Sequence, residues 1–249
     1  MPFPRRSLLA VGGAVVAAGA FYVWRVAHGP GGVPPTPVPA VPMPAAPGPA
    51  PASAPAAANV PAAAPAAGGD PRMAERSLGS AGAPVTVMEF FSLTCPHCAA
   101  FHRETFPQVR AQLIDTGKLR MIFRDFPLDQ VALTAAMVAR SLPPERYEPF
   151  CAALFASQDR WAFARGVNSV EELAKMAALA GLSRAAFDAA IADQGLKAAI
   201  LKAQEEGDKT YHVDSTPSFI FNGPARQNVR ESGGRSFDEF AKLVASAAG

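Results

Sequence analysis

The sequence predicts an α/β core interrupted by a block of helices. Three observations carry that prediction. Two short runs rich in β-branched and aromatic residues, APVTVMEFFSLT (83–94) and KLRMIFRDFPL (118–128), flank a helical stretch. A long Ala-rich helical region follows, and the pattern then returns to strand at TPSFIFNG (216–223) before a last helix. Strand, helix, strand, helical block, two strands and helix is the order of an α/β unit with a helical domain inserted in its middle.

The elements follow in order. The first run, bounded by Pro84 and a cysteine motif, reads as a buried strand. A helix starts at Cys95 and is interrupted or kinked at Pro107, because proline cannot donate to the preceding turn. The second strand ends at Pro127. Val131 to Leu142 is one helix, stopped by Pro143-Pro144, and Glu145 to about Ser157 is another. Ser169 and Glu172 form a capping box for a third, ending at Gly181. Ser183 caps a fourth, and Leu196 to about Tyr211 is a fifth, so the insertion covers about 128–211. Asn222-Gly223 is a hairpin signal, with residues 226–230 as the partner strand. Ser236 and Glu239 cap the final helix. The folded domain is expected over 72–249.

Upstream, residues 1–29 read as a signal or anchor. Arg5 and Arg6 precede an uncharged, mostly apolar run from Ser7 to Trp24, close to the minimum length for a membrane span. Ala18-Gly19-Ala20 fits a cleavage site. Phe21 to Trp24 extend the run past it with aromatics suited to a membrane interface, which favours retention over cleavage. The arginine pair partly resembles a twin-arginine signal, and the export route stays open. Residues 30–71 are almost all Pro, Ala, Gly and Val, a composition that cannot bury a core. At about 3.1 Å per residue such a spacer reaches on the order of 120 Å. It either carries the domain away from a membrane or is a linker without a specific role.

Composition removes several functions. A formal net charge of +2, with no dense basic patch, sets nucleic acid aside. Three cysteines, Cys95, Cys98 and Cys151, are too few for a disulfide-stapled scaffold. Cys151 falls with Tyr147, Phe150, Leu154 and Phe155 on one helical face and reads as core.

The Cys95-Pro96-His97-Cys98 quartet carries the chemistry. Pro96 suits the first position of a helix, which makes Cys95 the N-cap. A cap side chain there accepts hydrogen bonds from the N–H groups of His97 and Cys98, and the helix dipole points at the same sulfur. Cysteines so placed have a pKa of roughly 3.5–7.5, and a protonated His97 would push in the same direction. Cys98, one turn in, is expected to be the less exposed sulfur. A pair with a stabilised thiolate in its reduced form is an oxidant as a disulfide, and Cys95 forms the mixed disulfide with substrate. A c-type haem site would need histidine, not Ala99, after the second cysteine. Zinc would need about four ligands, and Cys95, Cys98 and His102 offer three. No metal and no cofactor beyond the Cys95–Cys98 disulfide is expected.

The segment VMEFFSLTCPHCAAFH resembles the active-site segment of the DsbA-like thiol:disulfide oxidoreductases of the thioredoxin superfamily, from about residue 84 to the C-terminus. The resemblance implies a thioredoxin fold with an inserted helical domain. It also implies oxidation of exported proteins in the periplasm, with a membrane quinone-linked partner regenerating the disulfide. Glu89 stands where the family commonly has a buried acid, from which it could relay a proton for Cys98. Thr216-Pro217 stands where the superfamily has a cis-proline, its backbone facing the disulfide and pairing with extended substrate. Family oxidases often carry valine before this proline and isomerase relatives often threonine, so isomerase or reductase stays open. No dimerisation domain is visible, which favours a monomeric oxidase. A non-catalytic, membrane-tethered binding module on the same fold is the reading from a different class.

Overall fold

The strand at the centre of the sheet, β2 (Val85–Phe91), is buried on both faces, as its run of Val, Phe and Met requires. In the computed structural model, which describes residues 69–249, a five-stranded sheet of order β1-β3-β2-β4-β5 is built around it. The expected signal segment and nearly all of the spacer lie outside the described residues.

β3 (Leu119–Asp125) runs parallel to β2, pairing Val87 with Met121 and Glu89 with Phe123. β4 (Ser218–Asn222) lies antiparallel on the other side, pairing Met88 with Ile220 and Phe90 with Ser218. Two short strands form the edges, β1 (Arg76–Leu78) beside β3 and β5 (Val229–Ser232) beside β4, both antiparallel. Side chains alternate across the sheet. Val85, Val87 and Phe91 enter the main core, whereas Met88 and Phe90 enter a smaller cluster with Ile122, Phe126, Val213 and Ile220. Glu89 shares the parity of Val87 and Phe91.

The first helical stretch starts as α1 (Pro96–Ala100) and widens into a π-helical turn at Phe101–Thr105. It continues as α2 (Phe106–Val109) and closes in a second π-helical turn at Arg110–Ile114. The expected interruption at Pro107 takes this form. Phe106 N–H donates to Phe101 O, five residues back, and Pro107 has no N–H for the next rung.

Six helices lie between β3 and β4. They are α3 (Gln130–Arg140), α4 (Pro144–Ala156), α5 (Gln158–Trp161), α6 (Ser169–Leu179), α7 (Arg184–Ala192) and α8 (Gln194–Tyr211). α9 (Phe237–Ala248) closes the chain with both bonds of the Ser236–Glu239 capping box formed. α8 packs against the smaller core, and Gly207 is what lets it close. A Cβ there would stand 2.5 Å from the Phe90 ring.

A buried ion pair fastens the inserted helices to the sheet. Arg140 Nε on α3 donates to Asp125 Oδ2 at the end of β3 (2.6 Å), and Tyr147 Oη on α4 donates to Asp125 Oδ1 (2.8 Å). Arg140 also donates to Ala74 O, which holds the lead-in to β1.

Four expectations are corrected. β1 and α5 were not foreseen, being too short for a periodic pattern. The cap of α6 is Asn168, whose Oδ1 accepts from Val170 and Glu171 N–H, one residue before the expected Ser169 box. Asn222-Gly223 does not make a two-residue hairpin, because Phe221 pairs with Val229 and residues 223–228 form a longer connection. There the Asn222 side chain instead accepts from Asn228 N–H.

Candidate active site

The quartet lies where β2 turns into α1, and the turn is held from three sides. Cys95 N–H donates to Ser92 O (3.0 Å). Gln158 on α5 reaches in from the inserted helices and donates through Nε2 to Leu93 O (2.7 Å) and Cys95 O (3.0 Å). Thr94 Oγ1 donates to Asp129 Oδ2 (2.6 Å), and Asp129 in turn caps α3 through Ala132 N–H. The redox turn is thereby tied to the insertion at two places, the start of α3 and α5.

Pro96 occupies the first helical position and Cys95 the N-cap, with extended backbone angles. One expectation fails in this thiol form: the Cys95 sulfur makes no cap hydrogen bond. Its thiol donates instead to Thr216 O (3.3 Å), on the loop that carries the cis peptide Thr216-Pro217. That loop also covers the sulfur, so Cys95 is only 5% exposed, whereas Pro96 and His97 beside it are exposed. Cys98 is fully buried. All three cysteines are free thiols.

The two sulfurs of the pair are electrostatically unlike. The Cys95 thiol is lowered to about 5, first by the hydrogen bond that Cys98 gives to its thiolate, then by Thr216 and the backbone N–H groups of Cys98 and His97, against the cost of burial. Cys98 is pushed up, first by burial, then by its bond to Cys95 and by the Cys95 and Glu89 charges. The Thr216 hydroxyl is buried without a partner in this thiol form. A thiolate at Cys95 can no longer donate to Thr216 O and gives that hydroxyl an acceptor.

Glu89 is fully buried. Its two carboxylate oxygens lie 2.9 and 3.1 Å from Nε2 of His102, the residue counted above as a third metal-ligand candidate. Cys151 is buried on α4 with Tyr147, Phe150, Leu154 and Phe155, and burial raises its thiol. Among the described residues no group of three or more His, Cys, Asp or Glu side chains is arranged to hold a metal ion.

Sequence reasoning missed Gln158, Asp129 and the pairing of His102. Gln158 and Asp129 act across loops that no local pattern encodes. His102 had a signal, since it follows Cys98 by four residues and so shares its helix face.

This arrangement of a strand, a Cys-Pro-His-Cys turn at a helix start and a facing cis-proline loop defines a thioredoxin-fold dithiol centre. The thioredoxin family model Thioredoxin_4 matches residues 72–244, and the chain belongs to that family, within its DsbA-like branch. It is similar to Wolbachia pipientis alpha-DsbA1, a crystal structure 31% identical, with a TM-score of 0.64 over 70% of this chain and 90% of that one. Bacillus subtilis BdbD, 20% identical with a TM-score of 0.60, shares the fold over 70% of this chain and 92% of its own. A provisionally named protein-disulfide oxidoreductase of Rickettsia prowazekii is 29% identical over 168 residues, 67% of this chain. The match spans 59% of that relative's length.

Proposed function

We propose that this protein is a thiol:disulfide oxidoreductase that donates its Cys95–Cys98 disulfide to reduced, exported proteins. The observation that carries the reading is the asymmetry of the pair, with Cys95 lowered to about 5 and Cys98 pushed up. Stabilising the reduced form makes the disulfide an oxidant, and the low-pKa sulfur a good leaving group.

A substrate thiolate attacks Cys95 Sγ, the Sγ–Sγ bond breaks, and Cys98 leaves and takes up a proton. A second substrate thiolate then attacks the substrate sulfur of the mixed disulfide. Cys95 departs as thiolate, and two electrons have passed from substrate to the pair. In regeneration the Cys95 thiolate attacks an oxidised partner. Cys98 gives up its proton, attacks Cys95 and releases the reduced partner. Glu89, buried and within electrostatic reach of Cys98, is the group that takes and returns this proton. The Thr216 backbone beside Cys95 is placed to pair with an extended substrate segment, with Pro217 shaping the loop.

The protein acts as a monomer facing the periplasm, tethered through residues 7–24 and a domain reaching on from residue 72, with a quinone-linked membrane protein as oxidant. Family resemblance and the N-terminal sequence support this placement. No helix among the described residues is long and apolar enough to cross a membrane. Thr216 before the cis-proline favours isomerase as the second reading.

Two variants test the function. Cys98→Ala accumulates a covalent complex with a reduced secreted substrate through Cys95, and Cys95→Ala accumulates little and oxidises nothing. Equal trapping by both variants contradicts the assignment. Refolding of a scrambled substrate without net oxidation would favour the isomerase.

A further inference from the structure

Glu89 has a partner that the reading above leaves unused. Its carboxylate and the His102 imidazole form a pair in which Nε2 lies within hydrogen-bond distance of both oxygens, and the two side chains are 0% and 4% exposed. Neither group can turn away. The imidazole stacks on Phe155 at 4.4 Å and 21°, and the rings of Phe91, Phe101, Phe106 and Phe123 stand around it within 6.4 Å. A carboxylate left alone in such a box would lose its hydration without compensation. The imidazole N–H is the donor that keeps it in place.

The pair is also wired to the redox centre by the helix. Cys98 and His102 are four residues apart on one helical face, and Glu89 on β2 faces that helix. One short helical stretch therefore carries the thiol that must gain and lose a proton and the ring that holds its acid.

We propose that His102 is the positioning partner of Glu89, so that carboxylate and imidazole act on Cys98 as one proton-exchanging unit. The inference rests on the assignment of Glu89 as the group that takes the Cys98 proton. When Cys98 attacks, its S–H bond breaks, the electron pair stays on sulfur, and the proton passes to one Glu89 oxygen while Nε2–H keeps hold of the other. When Cys98 is the leaving group the same proton returns. The titratable groups facing the unit are the Cys98 thiol on α1 and the Cys151 thiol on α4, both of which feel the Glu89 charge. The remaining neighbours named above are phenyl rings. A purely structural ion pair is the competing account, but a pair buried among phenyl rings is weak evidence for stability.

The test uses the full chain with Cys95 loaded as its mixed disulfide with glutathione. Glutathione release by Cys98 is followed from pH 5 to 9. Glu89→Gln slows release at neutral pH by about a hundredfold, the low end of general-base effects. His102→Phe, which suits the aromatic box but donates nothing, slows it comparably, and the double variant is no slower than either single one. His102→Gln, which restores an N–H, recovers most of the rate. An unchanged rate in Glu89→Gln overturns the Glu89 assignment and this inference with it. Slowing in Glu89→Gln with a wild-type rate in His102→Phe overturns only the inference. So do multiplicative losses in the double variant or no recovery in His102→Gln. If His102→Phe does not fold, His102→Leu takes its place: the same slowing is expected, and a wild-type rate overturns the proposal.

Discussion

Cys95 Sγ lies 3.3 Å from the carbonyl oxygen of Thr216, a residue 121 positions further along the chain. The contact joins the two halves of the α/β core across the whole helical insertion, and it places the sulfur under the cis-proline loop instead of at an open helix end. The low pKa is therefore only in part a local property. The Cys98 side chain contributes most, the distant Thr216 side chain next, and the backbone N–H groups of the helix start the rest.

Gln158 offers a test of that tertiary support. Its amide donates to Leu93 O and Cys95 O, and Gln158→Leu keeps the volume while removing that donor from both; Cys95 O keeps Ala99 N–H, so the loss falls on Leu93 O. Each orphaned buried acceptor costs about 1–3 kcal/mol. Denaturant unfolding should show a loss in that range, and the Cys95 titration midpoint should broaden or shift. An unchanged stability and midpoint would mean that the turn is held without α5.

The Asp125–Arg140 pair predicts a larger loss. Arg140→Met removes the cation and leaves Asp125 buried with only Tyr147 as donor. Breaking a buried pair from one side costs roughly 3–5 kcal/mol, readable as a lowered denaturation midpoint. The double variant Arg140→Met with Asp125→Leu should recover part of it, since the cost lies in the stranded carboxylate. A loss under about 1 kcal/mol for the single variant would show that Tyr147 alone satisfies the carboxylate.

The N-terminal reading makes a prediction about placement. Alkaline phosphatase fused to the C-terminus should be active in bacteria, and carbonate washing should leave the protein in the membrane fraction. An inactive fusion contradicts export. An active fusion released by washing contradicts only the anchor.

What could be read in the sequence was what the chain encodes locally. Pro96 placed the helix start, the Ser236–Glu239 box placed α9, and the Tyr147, Cys151 and Phe155 spacing placed a buried face. The exposure of Cys95 could not be read this way, because the loop that covers it is distant in sequence. The same holds for Gln158 and Asp129, which act over 63 and 35 residues. The link from Glu89 to His102 combines a strand period with a helix period, and neither period alone reveals it. Arg76–Leu78 escaped notice as a strand because its pairing with β3, not its own pattern, defines it.

Thiolate character at Cys95 in the folded, reduced protein is what makes the disulfide an oxidant. The Cys95 pKa falls from an ordinary value near 9 to about 5 on folding, and a depressed folded pKa adds stability above the unfolded value that is lost as pH falls toward the folded one. The oxidised protein has no such group. Thermal and denaturant unfolding of both redox forms between pH 4 and 9 is therefore the most direct measurement. The stability of the reduced form relative to the oxidised one should be flat below about pH 5. It should then rise by about 1.4 kcal/mol per pH unit, reaching roughly 2–3 kcal/mol at pH 7. A difference independent of pH, with the oxidised form melting higher throughout, would contradict it and mark the pair as a stabilising or reducing disulfide.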